Sequence, residues 1–146
     1  MSNLLTNRRD LKPEQLQRTC DLMIASMPDC LVSGYEQLIP GLSLPDPDDR
    51  HVLAAAIHCN AQMIVTNNMK DFPADVFAQF DIEAQSADTF LRSQADLFVP
   101  QFLNCVKIVR SRLRNPLMAA EDYITQLARL GLMQTASYLG DLVSLI

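Results

Sequence analysis

No two of the four cysteines fall at CxxC spacing, and only two histidines, His51 and His58, are present to join Cys20, Cys30, Cys59 and Cys105. That pattern indicates neither a zinc site nor a disulfide framework. Free thiols packed as small buried hydrophobes are expected instead. Long apolar runs are also missing. The longest, Val52 to Ile57 and Tyr138 to Ile146, are far short of the ~20 residues that span a bilayer. Met1 to Arg9 carries two arginines with no apolar segment behind them and no small-residue cleavage site, so no secretory leader is indicated. A soluble, cytoplasmic protein is the expectation. Positive charge is in short supply, with a net charge of −5, which argues against a protein that coats nucleic acid by bulk attraction. Internal repeats and low-complexity stretches are absent.

What is present suits one folded domain: 146 residues, 49% of them hydrophobic, enough to bury a core. Charge is unevenly spread. Residues 1–95 hold 13 acidic and 7 basic residues, whereas residues 96–146 hold 4 and 5. Most of that second group is the run Lys107, Arg110, Arg112 and Arg114. On a helix these spread around much of the circumference and read as a solvated face, or alternatively as a strip for a phosphate backbone or an acidic partner.

Apolar spacing predicts a helix from Leu11 to Met27, with Pro13 in its first turn and Pro28 ending it. Cys30 to Ser33 reads as a short strand and Gly34 to Leu44 as a structured loop. Asp46-Pro47-Asp48-Asp49 supplies an N-cap acceptor, a proline at the first helical position and first-turn acids for a buried helix ending near Asn60. Gln62 to Thr66 is a buried strand followed by a loop from Asn67 to Pro73. Helix, strand and loop in that order make half of a crossover unit in a parallel sheet, where ligands collect at the strand ends. A short helix at Asp75 to Phe80 and a short strand at Ile82 to Ala84 follow. Helices are then predicted over Ala87 to Asp96, capped by Ser86, and over Val99 to Arg114, Ala119 to Leu130 and Met133 to Leu145, with breaks at Asn115-Pro116 and Gly131. The division is an α/β core over residues 1–95 and a helical extension over 96–146.

Three carboxylates, Asp46, Asp48 and Asp49, stand at one helix start, and Asn68 and Asp71 lie in a loop that can come beside it. Hard oxygen donors from two such places suit Mg²⁺ or Mn²⁺. Acids at a helix start also cap it and complement its dipole, and composition alone favours that plainer role.

The segment Leu44-Pro45-Asp46-Pro47-Asp48-Asp49-Arg50-His51-Val52-Leu53-Ala54-Ala55-Ala56, followed by Ile64-Val65-Thr66-Asn67-Asn68-Met69-Lys70-Asp71-Phe72-Pro73, resembles the PIN-domain family related to VapC-type toxins. The resemblance extends through Ala84-Gln85 and weakly into the helical tail. It implies a PIN-like parallel sheet flanked by helices and metal-dependent endonucleolytic cleavage of RNA under control of an antitoxin. By position it makes Asp49 a metal ligand, places Asn68 where relatives often carry Asp, and lets Asp71 supply that carboxylate. Thr66 then orients the loop or contacts phosphate, with Asp46 and Arg50 in support. Family members open with a strand bearing Asp and a helix bearing Glu, neither of which is matched here. Asp10, Glu14, Asp21, Asp29 and Glu36 occupy no matching motif. The implied protein is therefore an inactive or weakly active ribonuclease with weak or no Mg²⁺ or Mn²⁺ binding. Alternatively it is a non-catalytic module that pairs with an antitoxin or with itself; a further option is an unrelated α/β domain. An uncovered sheet edge calls for a homodimer or larger assembly, for which Tyr138, Leu139, Leu142, Val143 and Leu145 offer contacts, unless they pack within the chain.

Overall fold

The computed structural model describes residues 12–114 and 116–146. The expectations at Met1 to Leu11, among them Asp10, and at Asn115 lie outside the described residues. Lys12 precedes helix α1, Pro13–Ser26, with proline in its first turn as expected. Leu16 and Cys20 are partly covered, but Met23 and Met27 are 61% and 67% exposed. The apolar stripe that specifies the helix thus has little to pack against. The expected strand at Cys30 to Ser33 does not form: Pro28–Cys30 is a 3₁₀ turn and the following residues are irregular. A short apolar run becomes a strand only where another strand pairs with it. Among the described residues the sheet is made by two other segments.

Helix α2, Arg50–His58, buries Leu53, Ala54 and Ala56. It stops where Asn60 takes a left-handed conformation, φ 54°. The amide of Asn60 donates to the Ile57 carbonyl and that of Ala61 to the Ala56 carbonyl, at 3.2 and 2.9 Å. This paired closure satisfies the last helical carbonyls and turns the chain into the sheet. Strand β1, Met63–Val65, runs parallel to β2, Glu83–Gln85, in the register Met63 with Glu83 and Val65 with Gln85. Parallel neighbours need a crossover, supplied here by helix α3, Ala74–Phe77, and the 3₁₀ turn Ala78–Phe80. Leu44, Leu53, Ala56, Phe72, Phe77 and Ile82 form the buried core under this unit. Phe72 and Phe77 face each other with centroids 5.5 Å apart.

Four helices complete the chain: α4, Ala87–Leu97; α5, Val99–Arg112; α6, Ala120–Arg129; and α7, Met133–Gly140. Ser86 caps α4, its hydroxyl accepting from the Thr89 amide. Gly131, at φ 89°, closes α6 as Asn60 closes α2: the Gly131 amide reaches the Ala128 carbonyl and the Leu132 amide the Leu127 carbonyl. The last predicted helix is shorter than expected, since α7 ends at Gly140 and a 3₁₀ turn, Val143–Leu145, follows. A second core gathers Leu103, Val106, Leu139 and Ile146, with Tyr123, Ile124, Leu127, Tyr138 and Leu142 against it. Tyr138, Leu139 and Leu142 therefore pack within the chain, while Leu145 is 53% exposed.

The architecture is α/β and PIN-like, a small parallel sheet with helices around it and a helical C-terminal region. Three further expectations need correction. Strand β1 is not buried: Met63 and Ile64 are half-buried and Val65 is exposed, because β2 is its only neighbour in the sheet among the described residues. The cysteines are not buried: Cys30, Cys59 and Cys105 are exposed and Cys20 is partly covered, because each falls on the outer side of its element or in a turn. The basic run is not one strip either. Arg110 turns inward and donates to the carbonyls of Met118 and Ile146 at 2.8 and 3.2 Å, while Lys107, Arg112 and Arg114 stay exposed. No helix among the described residues is long and apolar enough to cross a membrane.

Candidate metal centre

The segment before α2 folds locally for reasons its composition makes plain. Asp46, in an extended conformation, accepts the Asp48 amide at 2.9 Å through Oδ1 and so caps the 3₁₀ turn Pro47–Asp49. Arg50 donates from Nε to the Pro47 carbonyl at 2.8 Å, and His51 Nδ1 lies 2.6 Å from the Asp48 carbonyl. Arg50 is thereby committed to its own turn. Asp49 is different. It precedes α2, yet its side chain makes no capping hydrogen bond, so helix capping accounts for Asp46 and leaves Asp49 without a local role.

At the C-terminal end of β1 the Thr66 amide adds one more bond to the ladder, to the Gln85 carbonyl at 2.9 Å. The Thr66 hydroxyl accepts from the Asn68 amide at 3.1 Å, and the Asn68 side chain donates to Asp49 Oδ2 at 3.4 Å. One turn on, in Met69–Asp71, Asp71 comes back to the same point. Ligand oxygens of Asp46, Asp49 and Asp71 lie within 4.8 Å of one another, although 25 residues of sequence separate Asp46 from Asp71. Lys70 Nζ stands 3.8 Å from Asp71 on a side chain 84% exposed, and so exposed a partner compensates little of the charge.

Every site residue expected from sequence is thus in one place: Asp46, Asp49 and Asp71 as the acidic group, Asn68 bonded to Asp49, and Thr66 bonded to Asn68. Asp48 stays exposed outside the group, as do Glu14, Asp21, Asp29 and Glu36. The donor set fits a hard divalent cation, which takes a few carboxylates and keeps its remaining positions for water. Three like charges at such separation repel, and a cation between them relieves that repulsion.

Two residues escaped sequence reasoning. Asn67 accepts the Ala87 amide through Oδ1 at 3.3 Å. Asp88 is 8% exposed and receives the amides of Gln134 and Thr135, at 2.8 and 2.9 Å, and the Thr135 hydroxyl at 2.8 Å. Burial pushes the Asp88 carboxyl up, and the hydrogen bonds from the α7 end outweigh it, leaving the group below the usual carboxylate value. From sequence Asp88 looks like any first-turn acid. Only the neighbouring Ser86 cap was readable.

The family model described as VapC50 C-terminal domain matches residues 87–141, the interval from α4 to just past α7. A Mycobacterium tuberculosis (strain ATCC 25618 / H37Rv) protein named "Putative ribonuclease VapC50" is 45% identical over 65 residues. Over these stretches the chain is similar to VapC50 sequences. The alignment covers 44% of this chain and spans 38% of that relative's length. No solved structure matches significantly. The family match falls on the helical unit held by Asp88, whereas the three carboxylates lie before the matched residues.

Proposed function

We propose that this VapC-like chain is a metal-dependent endoribonuclease of the toxin type, with Asp46, Asp49 and Asp71 holding Mg²⁺ or Mn²⁺. The observation that carries the reading is the convergence of those three carboxylates at the end of β1, with Asp49 unused by its own helix. A divalent ion bound there supplies Lewis-acid stabilisation of phosphate and a more acidic water. The chain's own residues do the rest. Asn68 holds Asp49 from across the loop and Thr66 fixes the Asn68 backbone. Asp46 and Asn68 are exposed, which leaves the site open to a polymeric substrate such as RNA. An antitoxin protein is the partner that the VapC-like relationship brings to the reading. Among the described residues three carboxylates gather there, and a ligand set of that size predicts weak cation affinity and slow turnover, because alignment of the attacking water depends on the completeness of the ligand set.

The test is cleavage of a mixed RNA with Mn²⁺ or Mg²⁺ by this chain and by Asp49→Ala. Metal-dependent cleavage that the substitution removes supports the reading; equal activity of the two proteins overturns the site. A second reading, a non-catalytic module that pairs with an antitoxin or with another copy, is favoured by one observation. Helix α1 buries none of its residues, and Leu22, Met23, Met27 and Leu31 are exposed along it and just beyond. Absence of cleavage under all metal conditions, with a partner protected at that face, would select it.

A further inference from the structure

Three consecutive residues leave β1 in three directions. Thr66 continues the ladder to Gln85, Asn67 accepts the first amide of α4, and Asn68 donates to Asp49 at the start of α2. The next residue of α4, Asp88, is in turn bound to the amides that open α7. Hydrogen bonds linked by single peptide steps therefore run from the acidic group to the helical unit, and Asn67 is the step at which they cross. The Thr66 bond cannot take its place. The Thr66 amide fixes the backbone before the turn and its hydroxyl holds Asn68 only locally, whereas the Asn67 side chain ties that turn to α4.

Resting on the metal-centre reading above, we propose that Asn67 is a positioning residue that sets the loop carrying Asn68 and Asp71 against the start of α4. The helical unit, and not the sheet alone, thereby sets the separation of the carboxylates. Asn67 is not among the three carboxylates of the acidic group. It acts through its neighbour Asn68 and through the path of the loop, as outer hydrogen bonds commonly orient metal ligands. Its amide dipole suits the place: a neutral acceptor satisfies one of the unpaired amides of a helix start without adding a fourth charge to the acidic group.

The experiment is a Mn²⁺ titration of the full chain, followed by paramagnetic resonance and calorimetry, for the natural sequence, Asp49→Ala, Asn67→Ala and Asn67→Asp. Amide hydrogen exchange at Ala87 and Asn68 is measured alongside. Asn67→Ala is expected to raise the Mn²⁺ dissociation constant about tenfold, the lower end for loss of an outer hydrogen bond, and to speed exchange at both amides, with the thermal midpoint little changed. Asn67→Asp keeps the acceptor and should restore slow exchange at Ala87; its added charge can only favour the cation, so rescue is read on exchange. If Asn67→Ala binds Mn²⁺ as the natural sequence does, the positioning role is overturned and the metal centre stands. If the natural sequence binds no Mn²⁺, or binds it as Asp49→Ala does, the metal centre falls and this inference with it. Loss of affinity accompanied by a collapsed thermal midpoint assigns Asn67 to the fold and also overturns the proposal, unless Asn67→Asp restores the midpoint and slow exchange at Ala87.

Discussion

Asp49 and Asp88 stand near the starts of two helices, in the same chemical guise, and the structure treats them in opposite ways. Asp88 is buried and takes three hydrogen bonds from the α7 end, so its charge is consumed by the fold. Asp49 makes no capping bond and, among the described residues, meets only the Asn68 side-chain amide at 3.4 Å, beside two other carboxylates. A satisfied carboxylate joins elements; an underemployed one among like charges is free to hold a cation. The same contrast separates the regions around them. The helical unit that matches the VapC50 C-terminal domain supplies a second core and a clamp, and the α/β part supplies the acidic group.

The two cores provide the largest test of that comparison. Phe77 and Leu139 are fully buried, one in each core. Phe77→Ala should cost about 3–5 kcal/mol and Leu139→Ala about 2–5 kcal/mol, measured by urea unfolding. A loss under 1 kcal/mol at either position, about a third of the least expected for a large aromatic, would mean that its core is not a source of stability. Asp49→Ala should lower Mn²⁺-dependent RNA cleavage by about 100-fold or more, since several kcal/mol of charge stabilisation go with the metal, while the unfolding midpoint in urea hardly moves. Asp88→Asn should do the reverse. It is expected to destabilise by roughly 1–3 kcal/mol through loss of charged hydrogen bonds in a buried place, with metal affinity far less affected than by Asp49→Ala.

The pH dependence sharpens the Asp88 prediction. Its folded-state pKa is depressed, so its contribution is fully present above the unfolded value of about 3.9 and is lost as pH falls through the folded value. The stability gap between the natural sequence and Asp88→Asn should be flat above about pH 5 and narrow in more acid solution, since that group is fully ionised in both states there. A gap that widens on acidification would contradict the assignment. The smallest effect belongs to Gly131. At φ 89° a side chain is strained, and Gly131→Ala should cost about 1–2 kcal/mol, read as a lower thermal midpoint.

How much was legible follows the range of each interaction. The Asp46-Pro47-Asp48-Asp49 start, the Ser86 cap and the Gly131 stop are decided within a few residues, and each appears in the structure. The Cys30 to Ser33 segment carried a plausible strand pattern and failed, because pairing needs a partner that apolar residues cannot supply by themselves. Met133 to Leu145 was expected as one helix and ends at Gly140; the chain end then folds back so that Ile146 meets the second core and its carbonyl meets Arg110. At the candidate site the residues were all readable and their roles were not. Capping and metal binding ask for the same acids at the same positions, and only the absence of a cap from Asp49 separates the two.

By itself, then, the sequence determined the helix starts and all but the last of the main stops, the placement of β1 and β2 within a residue or two, and the set of oxygen donors, all of which depend on local backbone chemistry and hydrophobic spacing. The tertiary structure alone decided that Asp71 joins Asp46 and Asp49, that Asp88 is a clamp and Asn67 a bridge, and that three of the cysteines and most of α1 are exposed. Those outcomes depend on which surfaces meet. Hydrogen bonds such as that between Thr135 and Asp88 form across elements far apart in the chain, and no local pattern encodes the element that will arrive on the other side.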